Sequence, residues 1–255
     1  DTNNKNILNV KKKFRNIIYL NNLSLINNIH GMIIATPAHT HSQYAALALK
    51  NKIPFLSEKP IGTDLKNWLK IKNQSKKVNL ISGIGYPRRY LKASDFIKKI
   101  IKTKKLGNLI AVNSNFSQDF RALRSNYENS YYPFKKKGGG IILDAVTHHL
   151  DWISFFCGKL SKLILNHENK IIKNIDGSDY AVLILKFKNK VSGLIIANQF
   201  QKPNYDFIEL IFDKGNVKYN RISGNLKIIN SKKIIKNYNF YEDWEFVILS
   251  QISVF

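Results

Sequence analysis

The chain has 255 residues, 44% of them hydrophobic, enough to bury two modest domains or one large one. A single cysteine, Cys157, excludes an internal disulfide framework and fits a reducing compartment. No apolar run nears the roughly 18 residues needed to cross a membrane, and no charged-then-apolar leader opens the chain, so a cytoplasmic protein is expected.

The formal charge of +24 comes from 41 basic against 17 acidic residues and raises the question of a polyanionic partner. Lysine supplies 35 of the 41 and arginine 6, whereas base readout and bidentate phosphate contacts favour arginine. Ile (35), Lys (35) and Asn (30) make up 100 of the 255 residues, and all three have A/T-rich codons. Genome composition is the blander explanation of the lysine excess, though not of the shortage of acidic residues, and a nucleic-acid partner is disfavoured.

In chain order, residues 4–16 read as a Lys-rich helix, and "HGMIIATP" (30–37) as a buried strand ending in a loop. "HSQYAALALKNK" (41–52) is helical and "IPFLSEKP" (53–60) is a second buried strand. An amphipathic helix (65–77) leads into a third strand, "NLISGIGY" (79–86). Strands alternating with helices of this length predict βαβ units and a parallel sheet. Beyond about residue 88 the pattern changes. A helix (91–102), a strand (108–117), a polar aromatic loop (118–137) and an apolar helix (141–156) precede strand-like runs at 161–167, 179–188, 191–200, 205–213, 215–220 and 226–230. Turn chemistry at 188–193 and 213–216 marks hairpins. The expected architecture is an α/β nucleotide-binding domain (1–86) followed by an α+β domain with a large, mainly antiparallel sheet (87–255).

Ligands of open parallel sheets sit beyond the carboxyl ends of the strands. "ATPAHTH" (35–41), "SEKP" (57–60) and "GYPRR" (85–89) end three successive strands and are expected to converge on one crevice. The second constellation is "GGGIILDAVTHHLDW" (138–152). At about 100° per residue, Asp144, His148 and Asp151 share one helix face and His149 lies about 140° from Asp144. That periodicity selects His148 as the acid/base candidate, with Asp144 placed to orient its imidazole. The competing reading is a satisfied core histidine. Metal-ligand spacing is missing, so no metal site is assigned.

These stretches together resemble the Gfo/Idh/MocA family of NAD(P)-dependent sugar and polyol oxidoreductases. The resemblance implies a Rossmann-like domain, NAD or NADP as cofactor, a sugar, nucleotide-sugar or polyol substrate, and self-association through the C-terminal sheet. It implies catalytic roles for Lys59, Asp144 and His148, with His148 the proton carrier and Lys59 beside the reacting hydroxyl. Thr36, Pro37, His41 and Glu58 would line the nicotinamide-ribose end, and the peptide before Pro60 would be cis. Asp1 would grip the adenosine ribose. Arg121, Arg124 and Tyr127, in the loop before the glycine run, would contact substrate together with Lys59, Asp144 and His148.

Two departures qualify the resemblance. The G-x-G-x-x-G turn that cradles a pyrophosphate occurs nowhere in the sequence. The expectation is therefore a chain lacking its first βα unit, which by itself binds a dinucleotide poorly. Pro87 also stands where many relatives carry Asn. Two rivals remain: a non-catalytic relative acting as a binding or regulatory protein, and a polyanion binder driven by charge.

Overall fold

The computed structural model describes residues 4–14, 29–123, 130–230 and 234–255. Asp1, Arg124 and Tyr127, three of the expected contact residues, lie outside them. The chain divides into two compact units, Asp1–Gly83 and Ile84–Phe255, three residues ahead of the junction read from sequence.

The first unit contains α1 (Asn4–Lys13), β1 (Met32–Ile34), α2 (His41–Lys50), β2 (Phe55–Ser57), α3 (Leu65–Lys77) and β3 (Ser82–Ile84), with sheet order β1-β2-β3. β1 and β2 pair in parallel from Met32 opposite Phe55 to Ile34 opposite Ser57. The strands span three residues where eight were expected. Pro54 contributes a carbonyl, which accepts from Met32 N–H, but has no N–H of its own to extend the ladder. At the other end Glu58 N–H still reaches Ile34 O (2.8 Å) before Pro37 and Pro60 carry the two chains away. β2 is buried throughout, as a central parallel strand should be. Helix α2 buries His41, Ala45, Ala48 and Leu49 at helical spacing. Asp64 caps α3 by accepting from Asn67 N–H, and the helix seats Trp68 and Ile71 inward.

The second unit starts with a short 3₁₀ turn, Pro87–Tyr90, and α4 (Lys92–Thr103). There follow β4 (Leu109–Ser117), α5 (Phe120–Leu123), a π-helical turn (Ile142–Val146), α6 (Thr147–Cys157), β5 (Leu160–Glu168), β6 (Tyr180–Phe187) and β7 (Ser192–Asn198). β8 (Tyr205–Phe212), β9 (Gly215–Asn220), β10 (Asn225–Ile229), β11 (Ile234–Asn239) and α7 (Trp244–Val254) complete it. The eight strands lie in the order β11-β10-β9-β8-β4-β7-β6-β5. Every neighbouring pair is antiparallel except β4 with β7, which runs parallel.

Period-2 alternation puts Val112, Ser114 and Phe116 of β4, Ile195 and Ala197 of β7, and Ile208 and Leu210 of β8 on the buried face. α4 contributes Ile97 and Ile100 to the same core, and α6 contributes Trp152, Ile153 and Phe156. Each large side chain so buried contributes about 1.5–3 kcal/mol. This core fixes one face of α6 against the sheet and turns the opposite face away from it.

Two features depart from the sequence reading. The helix expected over 141–156 opens with the π-turn, in which Thr147 N–H reaches back five residues to Ile142 O. An uninterrupted 100° step therefore does not hold between Asp144 and His148. The second departure is two elements beyond residue 230, β11 and α7, where no strand or helix was expected.

Candidate active site

In the first unit, the chemistry-bearing groups sit at the carboxyl ends of β1 and β2. Thr36 and Pro37 follow β1 on the surface, and the Thr36 hydroxyl is hydrogen-bonded to that of Thr40 (2.8 Å). Ser57, the last residue of β2, is buried; beyond it Glu58 is exposed and Lys59 is half-buried. The Glu58 carboxylate accepts the Lys59 backbone N–H (3.2 Å), and the Lys59–Pro60 peptide is cis.

His41 takes a different place from the open strand end expected of it. It is 1% exposed, with Nε2 2.7 Å from Thr36 O and Nδ1 3.0 Å from Pro60 O. As the first residue of α2 it is turned inward, so its ring ties the loop after β1 to the loop after β2. The close approach of these loops recurs at Gly62, whose φ of +119° suits glycine and where a Cβ would stand 2.9 Å from Trp68 Nε1 and 3.3 Å from Ala38 O.

In the second unit, the glycine run delivers the chain into the π-turn. Gly139 packs so tightly on the Tyr132 carbonyl that a Cβ would lie 2.2 Å from it. Gly140 has φ +79° and donates to Tyr132 O, and Ile141 N–H donates to Ser178 O. Asp144 follows within the π-turn, buried at 6% exposure, and His148 sits half-buried one turn later. Thr147 returns its hydroxyl to Leu143 O (3.0 Å), satisfying a carbonyl in the turn. The ring of Tyr86 stands edge-on to His148, 5.9 Å between centroids at 87°. Burial pushes the Tyr86 phenol up to about 12, with Asp151 adding to the shift, so it stays protonated at neutral pH. Asp151 is engaged by Arg89 in a bidentate fork (2.8 and 2.5 Å), which removes it from any free acid/base role.

His149, one helical step on, faces the sheet core. It is fully buried, with Nδ1 2.6 Å from Ser114 Oγ and Nε2 3.6 Å from Asp206. Burial, reinforced by nearby Arg88, pushes its pKa down to about 3. Arg88 pairs with Asp206 through both terminal nitrogens (2.7 and 2.9 Å), and Arg221 adds a third bond. Burial acts to raise the Asp206 carboxyl, but Arg88, His149 and Arg221 outweigh it and hold Asp206 well below the usual carboxylate range. This ionic cluster bridges residues 118 positions apart, and no spacing in the sequence signals it. Of the expected substrate loop, Arg121 is exposed on α5. Among the described residues, no three His, Cys, Asp or Glu side chains gather as a metal site.

Residues 1–86 match the model of the oxidoreductase family with an NAD-binding Rossmann fold, and residues 95–218 match the GFO/IDH/MocA C-terminal domain. The chain belongs to the Gfo/Idh/MocA oxidoreductase family. Among members, it is 27% identical over 228 residues to glucose-6-phosphate 3-dehydrogenase of Bacillus subtilis, covering 86% of this chain and 65% of that protein. It is 22% identical to myo-inositol 2-dehydrogenase of Thermotoga maritima over 198 residues, 74% of this chain and 56% of that one. The chain thus spans less than two thirds of the length of these relatives. In fold it is similar to a levoglucosan dehydrogenase solved in complex with NADH, with a TM-score of 0.84 at 20% identity, covering 95% of this chain and 69% of that one.

The family's dinucleotide can be tested against the residues present. The exposed hydroxyl of Thr36, the carboxylate of Glu58 and the ammonium of Lys59 at adjoining parallel strand ends fit the hydroxyls and amide of a nicotinamide riboside. A glycine turn for the pyrophosphate is not among the 255 residues. The fit therefore concerns the nicotinamide half of the group.

Proposed function

We propose that this chain serves an NAD-dependent dehydrogenase that oxidises a sugar or polyol hydroxyl or reduces the matching carbonyl. The observation that carries the reading is the Asp144–His148 arrangement. A buried carboxylate lies in a π-turn one helical turn before a half-buried imidazole, in a chain whose other unit belongs to an NAD-binding family. Turns of this kind concentrate at functional sites. The named relatives act on glucose 6-phosphate and myo-inositol, which supports a polyhydroxylated substrate.

When bound, NAD supplies the two-electron acceptor for the hydride on the carbinol carbon. His148 takes the hydroxyl proton as the C–H bond breaks and a C=O bond forms, and returns it in the reductive direction. Lys59, a cation at the end of β2, stabilises the negative charge developing on the substrate oxygen. Asp144 holds the imidazole in its working orientation. Thr36, Pro37 and Glu58 hold the nicotinamide ribose, His41 sets the loops that carry them, and Arg121 contacts substrate. Self-association through the C-terminal sheet belongs to the same reading. Ile164 and Ile184 face each other in register on β5 and β6 and are each about half exposed, which supports a covered face in an assembly.

The test is reduction of NAD+ and NADP+ across a panel of glucose 6-phosphate, inositols and levoglucosan, beside binding of NADH and NADPH. Turnover that falls about 10²–10⁴-fold in Lys59→Ala and His148→Ala is expected. The same assays are run on the chain and on a version extended upstream from its gene; if neither binds a nucleotide nor oxidises anything in the panel, the reading ends in favour of a non-catalytic relative.

A further inference from the structure

Helix α6 is gripped along one side by three residues of a single short segment. Tyr86 presents its ring edge-on to His148. Arg88 stacks over Trp152 (5.2 Å) while forked to Asp206 of β8. Arg89 forks Asp151 and lies over Phe155 (5.5 Å). The gripped positions, 148, 151 and 152, and 155, follow the i, i+3/i+4, i+7 spacing that keeps one line along a helix. The segment is itself anchored. Ser94 Oγ donates to Arg88 O (2.6 Å), Trp152 Nε1 donates to Ser94 Oγ (2.7 Å), and Gln251 of α7 reaches Ile84 O. A helix held by one carboxylate fork and three ring contacts has little freedom to rotate about its axis, and His148 rides on it.

We propose that Tyr86 and Arg89 are positioning residues for His148: Tyr86 fixes the plane of the imidazole, and Arg89 fixes the rotation of α6 while occupying the Asp151 carboxylate. Neither is assigned contact with the reacting atoms. The inference rests on the acid/base role of His148 given above. Arg88 has a different duty, since its fork ends on the sheet rather than on the helix, and it holds the segment rather than the histidine. The high phenol pKa is consistent with Tyr86 acting as a neutral ring.

The experiment uses the full chain with histidine ¹⁵N-labelled, and compares Tyr86→Leu, Tyr86→Phe and Arg89→Met with the wild type. Two readouts are taken: the His148 ring resonances, and the separate kcat and KM for NAD+ with the best substrate of the panel. Tyr86→Leu and Arg89→Met should shift the His148 resonances and lower kcat about tenfold, with KM for NAD+ within about twofold, a change of about 1.4 kcal/mol in the barrier. Tyr86→Phe keeps the ring edge, loses only the hydroxyl's bond to Thr147, and should behave as wild type. Unmoved resonances and unchanged kcat in Tyr86→Leu and Arg89→Met overturn the proposal. If Arg89→Met does not fold, Asp151→Asn weakens the same fork from the helix side and decides the question in its place. If the wild type turns over nothing in the panel, the proposed activity falls while the resonance arm still decides the positioning claim.

Discussion

His148 and His149 are consecutive on α6, and the fold gives them opposite environments. His148 is half-buried beside Tyr86 and one turn after Asp144, on the side of the helix held by the 86–89 segment. His149 is fully buried against β4 and β8, its pKa down to about 3, with Arg88 and Arg221 nearby. A single helical step of about 100° separates a half-buried imidazole from one that burial locks neutral. Residue type says little about a histidine's work. What decides it is whether the adjoining wall is a sheet core or a polar surface.

The comparison breaks most severely at Asp206, which balances two arginines beneath His149. Replacing one partner of a buried ion cluster strands the others, at a typical cost of about 3–5 kcal/mol. Asp206→Asn should therefore lower the urea midpoint of the second unit by a large margin. Arg88 would lose both its charge partner and its grip near α6. A midpoint within experimental error of the wild type would show that the cluster contributes nothing net to stability.

A smaller effect follows from pH. Between the ordinary histidine pKa of about 6.5 and the folded value of about 3, the unfolded chain binds a proton at His149 that the folded chain does not. Stability contributed by the neutral ring is present above about pH 6.5 and is lost as the pH falls, at up to about 1.4 kcal/mol per pH unit for one proton. Asp206 adds to the loss at lower pH, because its carboxyl is held below the unfolded value and its contribution disappears as it protonates. Urea midpoints at pH 7, 5.5 and 4.5 should fall more steeply for wild type than for His149→Gln. Parallel curves would mean that His149 is not the group titrating.

Much of this architecture was legible in the sequence, for physical reasons that also explain what was not. Alternation exposed β4 and β6–β9, because one face of each is buried and the other is not. Proline and glycine marked the strand ends at Thr36-Pro37 and Glu58-Lys59-Pro60. α7 was missed because "WEFVILSQISV" is apolar on most sides and β-branched, so it shows no helical stripe, although Asp243 caps it through Glu245 N–H. The π-turn at 142–146 left no trace, since one extra residue in a turn changes neither composition nor pattern. The pairing of Arg88 with Asp206 was equally silent, because burial selects such a partner and spacing does not.

The finest difference between the two histidines is which nitrogen carries the proton, and Ser114 sets it for His149. The serine hydroxyl donates to Phe207 O (3.1 Å), so its lone pair is what faces His149 Nδ1 at 2.6 Å, and Nδ1–H is the donor. Nε2 is then the bare nitrogen, consistent with its lack of a hydrogen-bond partner and with the arginine charge nearby. Ser114→Ala removes the acceptor and leaves both the imidazole N–H and the Phe207 carbonyl short of a buried partner, a cost of about 1–3 kcal/mol. The expected result is a modest fall in melting temperature together with a change in the His149 ring ¹⁵N shifts, while those of His148 stay in place. If the His148 resonances move as far as those of His149, the two faces of α6 are coupled, and the separation argued from their burial does not hold.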